Sequence, residues 1–389
     1  MTAVAAPPSA LVQPFLRDRM TWVAYTALAW FAYLQAAPGL VIPHLREELH
    51  LSYATGGLLV AAFASGSVLA GLSAPRVERA LGRAAMLWTA SAVLAAGALG
   101  LVLAPSAVLT IASVGVMGYA GGLMLVAVQA ALVDHHGPHS AVALTEANVA
   151  ASVSYVVLIG ALALTAALGG SWRLALVASL GVPALLWLRN RRLPIAEPAV
   201  AAEAAGRLPR LFWIGAAMLV CTTAAEWCIT GWGATFAQDA VELSADAAVT
   251  VMAGYFGGVL VGRTVGSRLT RRYDPAHLLA AALVVSAVGF FVLWPATSTV
   301  QAVAGLALLG IGLGNLFPLA ISVVVELAPG QAAQASGRAV AVTSFAVLLA
   351  PLTVGALADA TSLEAAFVVV PVVLALASAG LVLVQRGRA

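Results

Sequence analysis

The chain has 389 residues, of which 62% are hydrophobic and only 9% charged, against roughly a quarter charged in soluble globular proteins. A soluble fold of this make-up would aggregate, whereas long apolar blocks divided by short polar gaps suit a chain threaded repeatedly through a bilayer. The formal charge of +3 rests on nineteen arginines and no lysine; they are scattered over many gaps, so no nucleic-acid-binding patch forms.

Residues 1–20 lack a basic start followed by an apolar run and a cleavage site, so the first membrane block is expected to act as an uncleaved signal anchor. About 20 apolar residues cross the hydrocarbon core. Cutting at charge, proline and glycine clusters gives spans at 21–43, 52–73, 84–104, 106–132, 141–168 and 172–190, then 211–238, 246–268, 276–296, 298–327, 332–358 and 362–384. The expected organisation is a cytoplasmic segment 1–20, a six-helix bundle 21–190, a polar linker 191–210 and a second six-helix bundle 211–385. Cys221 and Cys228 fall seven residues apart in one block, about 10 Å along a helix and too far for a disulfide.

Arginine placement orients the spans, because basic residues in short loops stay cytoplasmic. With the N-terminus inside, seventeen arginines fall on one face and only Arg46 and Arg173 on the other. Both termini are therefore expected in the cytoplasm, with the chain a multi-pass protein of the cell (inner) membrane. A shift of 192 residues lays Arg76 on Arg268, Arg79 on Arg271, Gly39 on Gly231, Gly66 on Gly258, Gly118 on Gly310 and Asp134 on Glu326. That coincidence points to duplication of a six-helix unit.

Between the second and third spans runs GLSAPRVERALGR, Gly71 to Arg83, and between the eighth and ninth GRTVGSRLTRR, Gly262 to Arg272. Together with Gly169-Gly170-Ser171-Trp172-Arg173 between the fifth and sixth spans, these stretches resemble the hallmarks of the major facilitator superfamily. The first copy lacks the usual acid before its basic residues, with Glu78 only nearby. The resemblance covers nearly the whole chain. It implies an all-α integral membrane protein of twelve transmembrane helices in two six-helix bundles related by a pseudo-two-fold axis, a transporter working by alternating access.

Enzyme motifs are absent: there is no nucleotide-binding glycine loop with its lysine. The six histidines sit in gaps or at helix ends, and Asp134, His135 and His139 read as a solvated loop rather than a metal site. Neither cofactor nor metal is expected, and the expected partners are a small-molecule substrate, protons and the lipid bilayer, with the chain a monomer.

Ionisable residues inside a membrane are costly and mark functional sites. Glu226, about fifteen residues into the seventh span, lies past the bilayer centre by the 1.5 Å helical rise, with no basic residue at its depth. Such a carboxylate is expected to bind a proton, a cation or a polar substrate; the plainer alternative is a permanently protonated acid bonded to a backbone carbonyl. The segment Ala224 to Trp232 resembles that of proton-coupled sugar permeases of the fucose permease group, which implies Glu226 as the proton-coupling residue. Tyr33, Gln35, Tyr119, Gln129, Asn148, Tyr155, Trp227, Tyr255 and Asn315 are the candidate substrate-binding residues. The superfamily lines its cavity with helices one, four, seven and ten, which favours Gln35, Tyr119, Glu226 and Asn315.

A second constellation lies at the cytoplasmic ends: Arg76 or Arg79 is expected to pair with Asp134, Arg268 or Arg271 with Glu326, and Glu146 with Arg263 or Arg268, while Arg338 repeats the position of Glu146. These pairs would latch that side shut, the alternative being static loop anchoring. Helix four has no arginine and helix five no proline in the positions drug:proton antiporters of the superfamily use. The expected function is secondary active, proton-coupled transport of a small polar organic solute, a sugar being one candidate; the alternative is export of a hydrophobic compound.

Overall fold

The computed structural model describes residues 15–195, 207–270, 272–329 and 331–388. The helices are α1 (Arg19–Leu49), α2 (Tyr53–Leu81), α3 (Arg83–Leu103), α4 (Ala107–His136), α5 (Ser140–Ala167), α6 (Arg173–Ser179 and Gly181–Asn190), α7 (Arg210–Val241), α8 (Ala245–Leu269), α9 (Pro275–Leu293), α10 (Thr299–Glu326), α11 (Ala332–Ala360) and α12 (Leu363–Ala366 and Val369–Arg388). Eleven spans among the described residues are long and apolar enough to cross a membrane. The remaining expected span is α6, which breaks at Leu180. Pro183 explains the break, since its ring collides with the carbonyl four residues back and it has no N–H to donate. Side chains such as Val300 (80% exposed) and Leu168 (77%) stand outward, as a lipid-facing surface requires and a water-facing one avoids. Both cysteines are free.

The sequence repeat survives into the geometry. Helices α2 to α5 begin 192 residues before α8 to α11, at 53 and 245, 83 and 275, 107 and 299, 140 and 332. Ser52 and Ser244 cap α2 and α8 in the same way, each accepting from the amide three residues on. Helix contacts repeat as well. A side chain on Gly118 would strike the backbone of Phe63, and one on Gly310 the backbone of Tyr255, its equivalent at the same shift. Gly66 meets the backbone around Gly118, and Gly258 that of Ala307 and Ile311. The crossings of α2 with α4 and of α8 with α10 are one crossing used twice, made by glycines that let two backbones touch.

The two halves meet most closely at the end of the bundle that carries few arginines. There Gly39 of α1 lies against the Thr230 carbonyl of α7, Gly57 of α2 against Pro351 of α11, and Gly355 of α11 against the Tyr53 carbonyl. Polar bonds fasten the same end. His44 Nε2 is 2.8 Å from Asp246 Oδ1, Gln238 donates to Glu47 at 2.6 Å, and Asp239 accepts from the Tyr53 hydroxyl at 2.6 Å and faces Arg46 at 3.7 Å. Asp359 accepts from the Tyr53 and Ala54 amides, 2.8 Å each, placing a carboxylate on the positive N-terminus of α2.

At the arginine-rich end the acids take partners other than the expected ones. Asp134 pairs with Arg83, not with Arg76 or Arg79; Arg79 bonds the Pro75 carbonyl of its own helix. Glu146 takes Arg17 and the Tyr25 hydroxyl, not Arg263 or Arg268. Glu326 pairs with Arg388 instead of Arg268, and Arg271 lies outside the described residues. Arg76, Arg268 and Arg338 are exposed and in no ion pair among the described residues. The cause is reach: the chain just before α1, the first residue of α3 and the last turn of α12 each carry an arginine nearer to these acids. Each of these pairs stays within one half.

Two consequences can be measured. Gly258→Ala should lower the thermal stability of the detergent-solubilised protein by about 1 to 3 kcal/mol through overpacking, while the neighbouring Gly257→Ala, with open space around it, should be neutral or slightly stabilising. Asp239→Asn removes the carboxylate shared by Arg46 and Tyr53. For a part-exposed pair worth up to about 1 kcal/mol, spin-label distances across the arginine-poor end should show up to a roughly five-fold shift toward open populations.

Candidate functional site

Helix α1 is the most enclosed of the spans and α7 the next, and the cavity between the halves lies against both. It is small, about 40 Å³, and is lined by Gln35 and Ala36 of α1, Tyr155 of α5, Glu226, Trp227 and Thr230 of α7, and Tyr255, Phe256, Val259 and Arg263 of α8. A second recess, sharing Gln35, Trp227 and Thr230, continues along α1 and α7 toward Phe63 and Gly231. The periodicity of α7 accounts for its share: Glu226, Trp227 and Thr230 sit at i, i+1 and i+4, one stripe of a helix.

Arg263 organises the cavity. Its Nε donates to the Gly314 carbonyl of α10 at 3.2 Å and its Nη1 to the Ser152 hydroxyl of α5 at 2.8 Å. Its Nη2 stands 3.8 Å from Glu226 Oε1, close enough for a strong Coulomb attraction but beyond hydrogen-bond length. Among the described residues Glu226 has no other ion pair, and no other charged side chain lines the cavity. Glu226 and Arg263 keep 21% and 31% of their side-chain surface accessible, so neither is sealed away. Around them the Tyr155 hydroxyl faces Gln35 at 3.4 Å, and the Thr230 and Tyr255 hydroxyls are 3.3 Å apart. Tyr155 also stacks obliquely on Phe256 with ring centres 5.1 Å apart. The cavity thus offers one carboxylate, one guanidinium, three hydroxyls, an amide and an indole.

Of the residues singled out in the sequence, Gln35, Tyr155, Glu226, Trp227 and Tyr255 come together here, whereas Gln129 is exposed. Tyr33 does not: its hydroxyl donates to the Ala175 carbonyl of α6 at 2.8 Å. Tyr119 bonds Ser73 between α4 and α2 at 3.1 Å, and Asn148 is exposed and bonds back to the Leu144 carbonyl. Asn315 bonds the Ile311 carbonyl and fills the space over Gly262 and Gly266 of α8. The expected lining by helices one, four, seven and ten becomes α1, α5, α7 and α8, with α10 supplying only the Gly314 carbonyl to Arg263.

Arg263 is the largest correction, because it was assigned to the latch and Glu226 to isolation. The signal was present, since an arginine within the span 246–268 is rare enough to mark function. It lies six residues before the end of α8, about 9 Å along the helix. The Cα–Cβ bond, however, tilts toward the helix N-terminus, and α8 enters from the arginine-poor end, so the guanidinium climbs toward the middle of the membrane. Ser152, Thr230 and Phe256 were also missed. A hydroxyl or a phenyl group in a membrane helix is too common to stand out.

Comparison with known proteins agrees with this architecture. The family model of the Major Facilitator Superfamily matches residues 21–253 and 216–388. No curated protein matches the sequence. Among solved structures, a bacterial homologue of the human lysosomal transporter Spinster, inward-facing and occupied, superposes with a TM-score of 0.75 at 16% identity, covering 96% of this chain and 98% of that one. A D-xylose–proton symporter gives 0.77 at 14% identity over 94% and 96% of the two chains. The nucleoside transporter NupG gives 0.74 at 14% over 95% and 99%. With both halves matched, the chain belongs to the major facilitator superfamily of membrane transporters.

Proposed function

We propose that the protein is a proton-coupled carrier of a small polar organic solute, working by alternating access of its two halves about the central cavity, with the arginine-rich face and both termini in the cytoplasm. The observation that carries this reading is the placement of Glu226, an accessible carboxylate in a cavity between the halves. A proton carrier must be reachable from each side in turn, and a group at the seam between two rocking bodies meets that need. Hydroxyls and an amide suit a solute rich in hydrogen-bonding groups, a sugar among the candidates. Two of the structural neighbours are described as a xylose–proton symporter and a nucleoside transporter, which fits that class. The alternative, export of a hydrophobic compound, would draw on the rings of Tyr155, Trp227, Tyr255 and Phe256; the charged pair and hydroxyls set among them favour the polar solute.

With the arginine-poor end outside, the closures at Gly39, Gly57 and Gly355 shut the outer path, and the accessible parts of Glu226 and Arg263 belong to an inward-facing or occluded arrangement. The test uses reconstituted full-length protein and a panel of polar metabolites. Glu226→Gln mimics the protonated form, so exchange of a transported solute across the membrane should persist while accumulation driven by a pH gradient falls to background. Retained accumulation in the glutamine variant would remove Glu226 from coupling.

A further inference from the structure

Arg263 changes what the cavity can hold. A guanidinium presents five N–H donors, of which this one commits one to Gly314 and one to Ser152, both neutral acceptors. Its only ion-pair partner among the described residues is Glu226, at a distance too long for a hydrogen bond. Among the described residues, one donor on Nη1 and both on Nη2 meet no hydrogen-bond acceptor, at the wall of a cavity that also contains Trp227 and the Tyr155 and Tyr255 hydroxyls.

We infer that the substrate is an organic monoanion, a carboxylate bound by Arg263 in the place Glu226 gives up when it takes its proton. This rests on the reading of Glu226 as the proton site and names the class of solute for it.

The argument is one of net charge. Empty, the site holds Arg263⁺ and Glu226⁻ and is neutral. A proton on Glu226 alone leaves the site at +1, and an uncompensated charge inside the bilayer is costly. A neutral solute arriving with the proton does nothing to remove that charge. A carboxylate arriving with it restores neutrality and meets a planar donor fork of matching geometry. Proton and anion thus favour each other's binding. The two neutral states, empty and doubly loaded, are the ones able to reorient, and both singly loaded states are held back. Tyr155 and Tyr255 are the other titratable groups facing the pair, and as neutral phenols they leave this balance unchanged.

The experiment uses the full-length protein in liposomes under an inward pH gradient, with two matched probe pairs: D-glucuronate against D-glucose, and lactate against 1,2-propanediol. Expected is accumulation of one or both carboxylates above their neutral counterparts, with no dependence of its rate on a potassium–valinomycin potential. Arg263→Gln should reduce carboxylate uptake about ten-fold or more, as loss of a charge-assisted contact implies, and Arg263→Lys should restore part of it. Thermal unfolding of each variant in detergent reports whether it is folded. The wild-type comparison of probes and of potentials stands without any variant. Accumulation of the neutral partners as strongly as the carboxylates, or uptake driven by an inside-negative potential, would overturn the anion assignment while leaving the proton-coupled polar carrier intact. Accumulation of none of the four would overturn the anion assignment, and failure of the wider metabolite panel as well would remove the proposed function with it.

Discussion

Lipid tails are as apolar as leucine, so two helices in a bilayer gain little by hiding apolar surface from one another, and adhesion must come from how closely their backbones fit. In this protein that fit is made by glycine. Gly66, Gly118 and Gly122 seat α2 on α4, and Gly258, Gly310 and Gly314 seat α8 on α10 at the repeated positions. These contacts run through the interior of each half and tie its helices backbone to backbone. The close glycine contacts between halves, at Gly39, Gly57 and Gly355, gather toward one end. The fold therefore concentrates its strongest mutual contact where one access path must close and leaves the polar cavity next to it.

Electrostatics takes over where packing stops. Glu226 and Arg263 come from different helices of the same half and meet at the seam with the other. Neither could rest alone at that depth without a large cost, so each is the condition for the other's presence. The looseness of the pair matters as much as its existence. At 3.8 Å the charges still attract strongly in a medium of low dielectric, yet no hydrogen bond would have to be broken between them on the proposed arrival of a proton or an anion. A tight, fully bonded pair would stabilise one state too deeply to be useful for exchange.

Much of the fold was legible because a membrane imposes its own arithmetic on the chain. Span length, arginine alternation and the 192-residue shift all describe Cα positions along the sequence, and the observed starts of α2 to α5 and of α8 to α11 keep that shift without a gap. The site was legible only in part, because a side chain's direction is set by helix rotation and not by depth. Tyr33 and Gln35 are two residues apart, about 200° around a helix, so both could not face the cavity; Gln35 does, and Tyr33 turns to α6. Asn315, expected at the cavity, instead fills the space that Gly262 and Gly266 leave open. Pairing at the arginine-rich end was not legible at all. Alternation tells which face an arginine occupies and says nothing about which of several acids its long, flexible side chain will reach.

Ser152 gives the arrangement its last feature. It is a buried residue of α5 in the first half, and it accepts from Arg263 of the second. The arginine thus holds three parties at once: its own half through Gly314, the opposite half through Ser152, and the cavity carboxylate Glu226. A guanidinium is rigid and planar, with its donors fixed relative to one another. Turning it toward a new anion changes its angle to Ser152, and moving α5 relative to α8 changes its distance to Glu226. Occupancy of the cavity and the relative position of the halves are therefore linked through one side chain. The proposed alternating access requires such a link, because a coupled carrier whose halves moved without regard to what the site contained would leak its gradient.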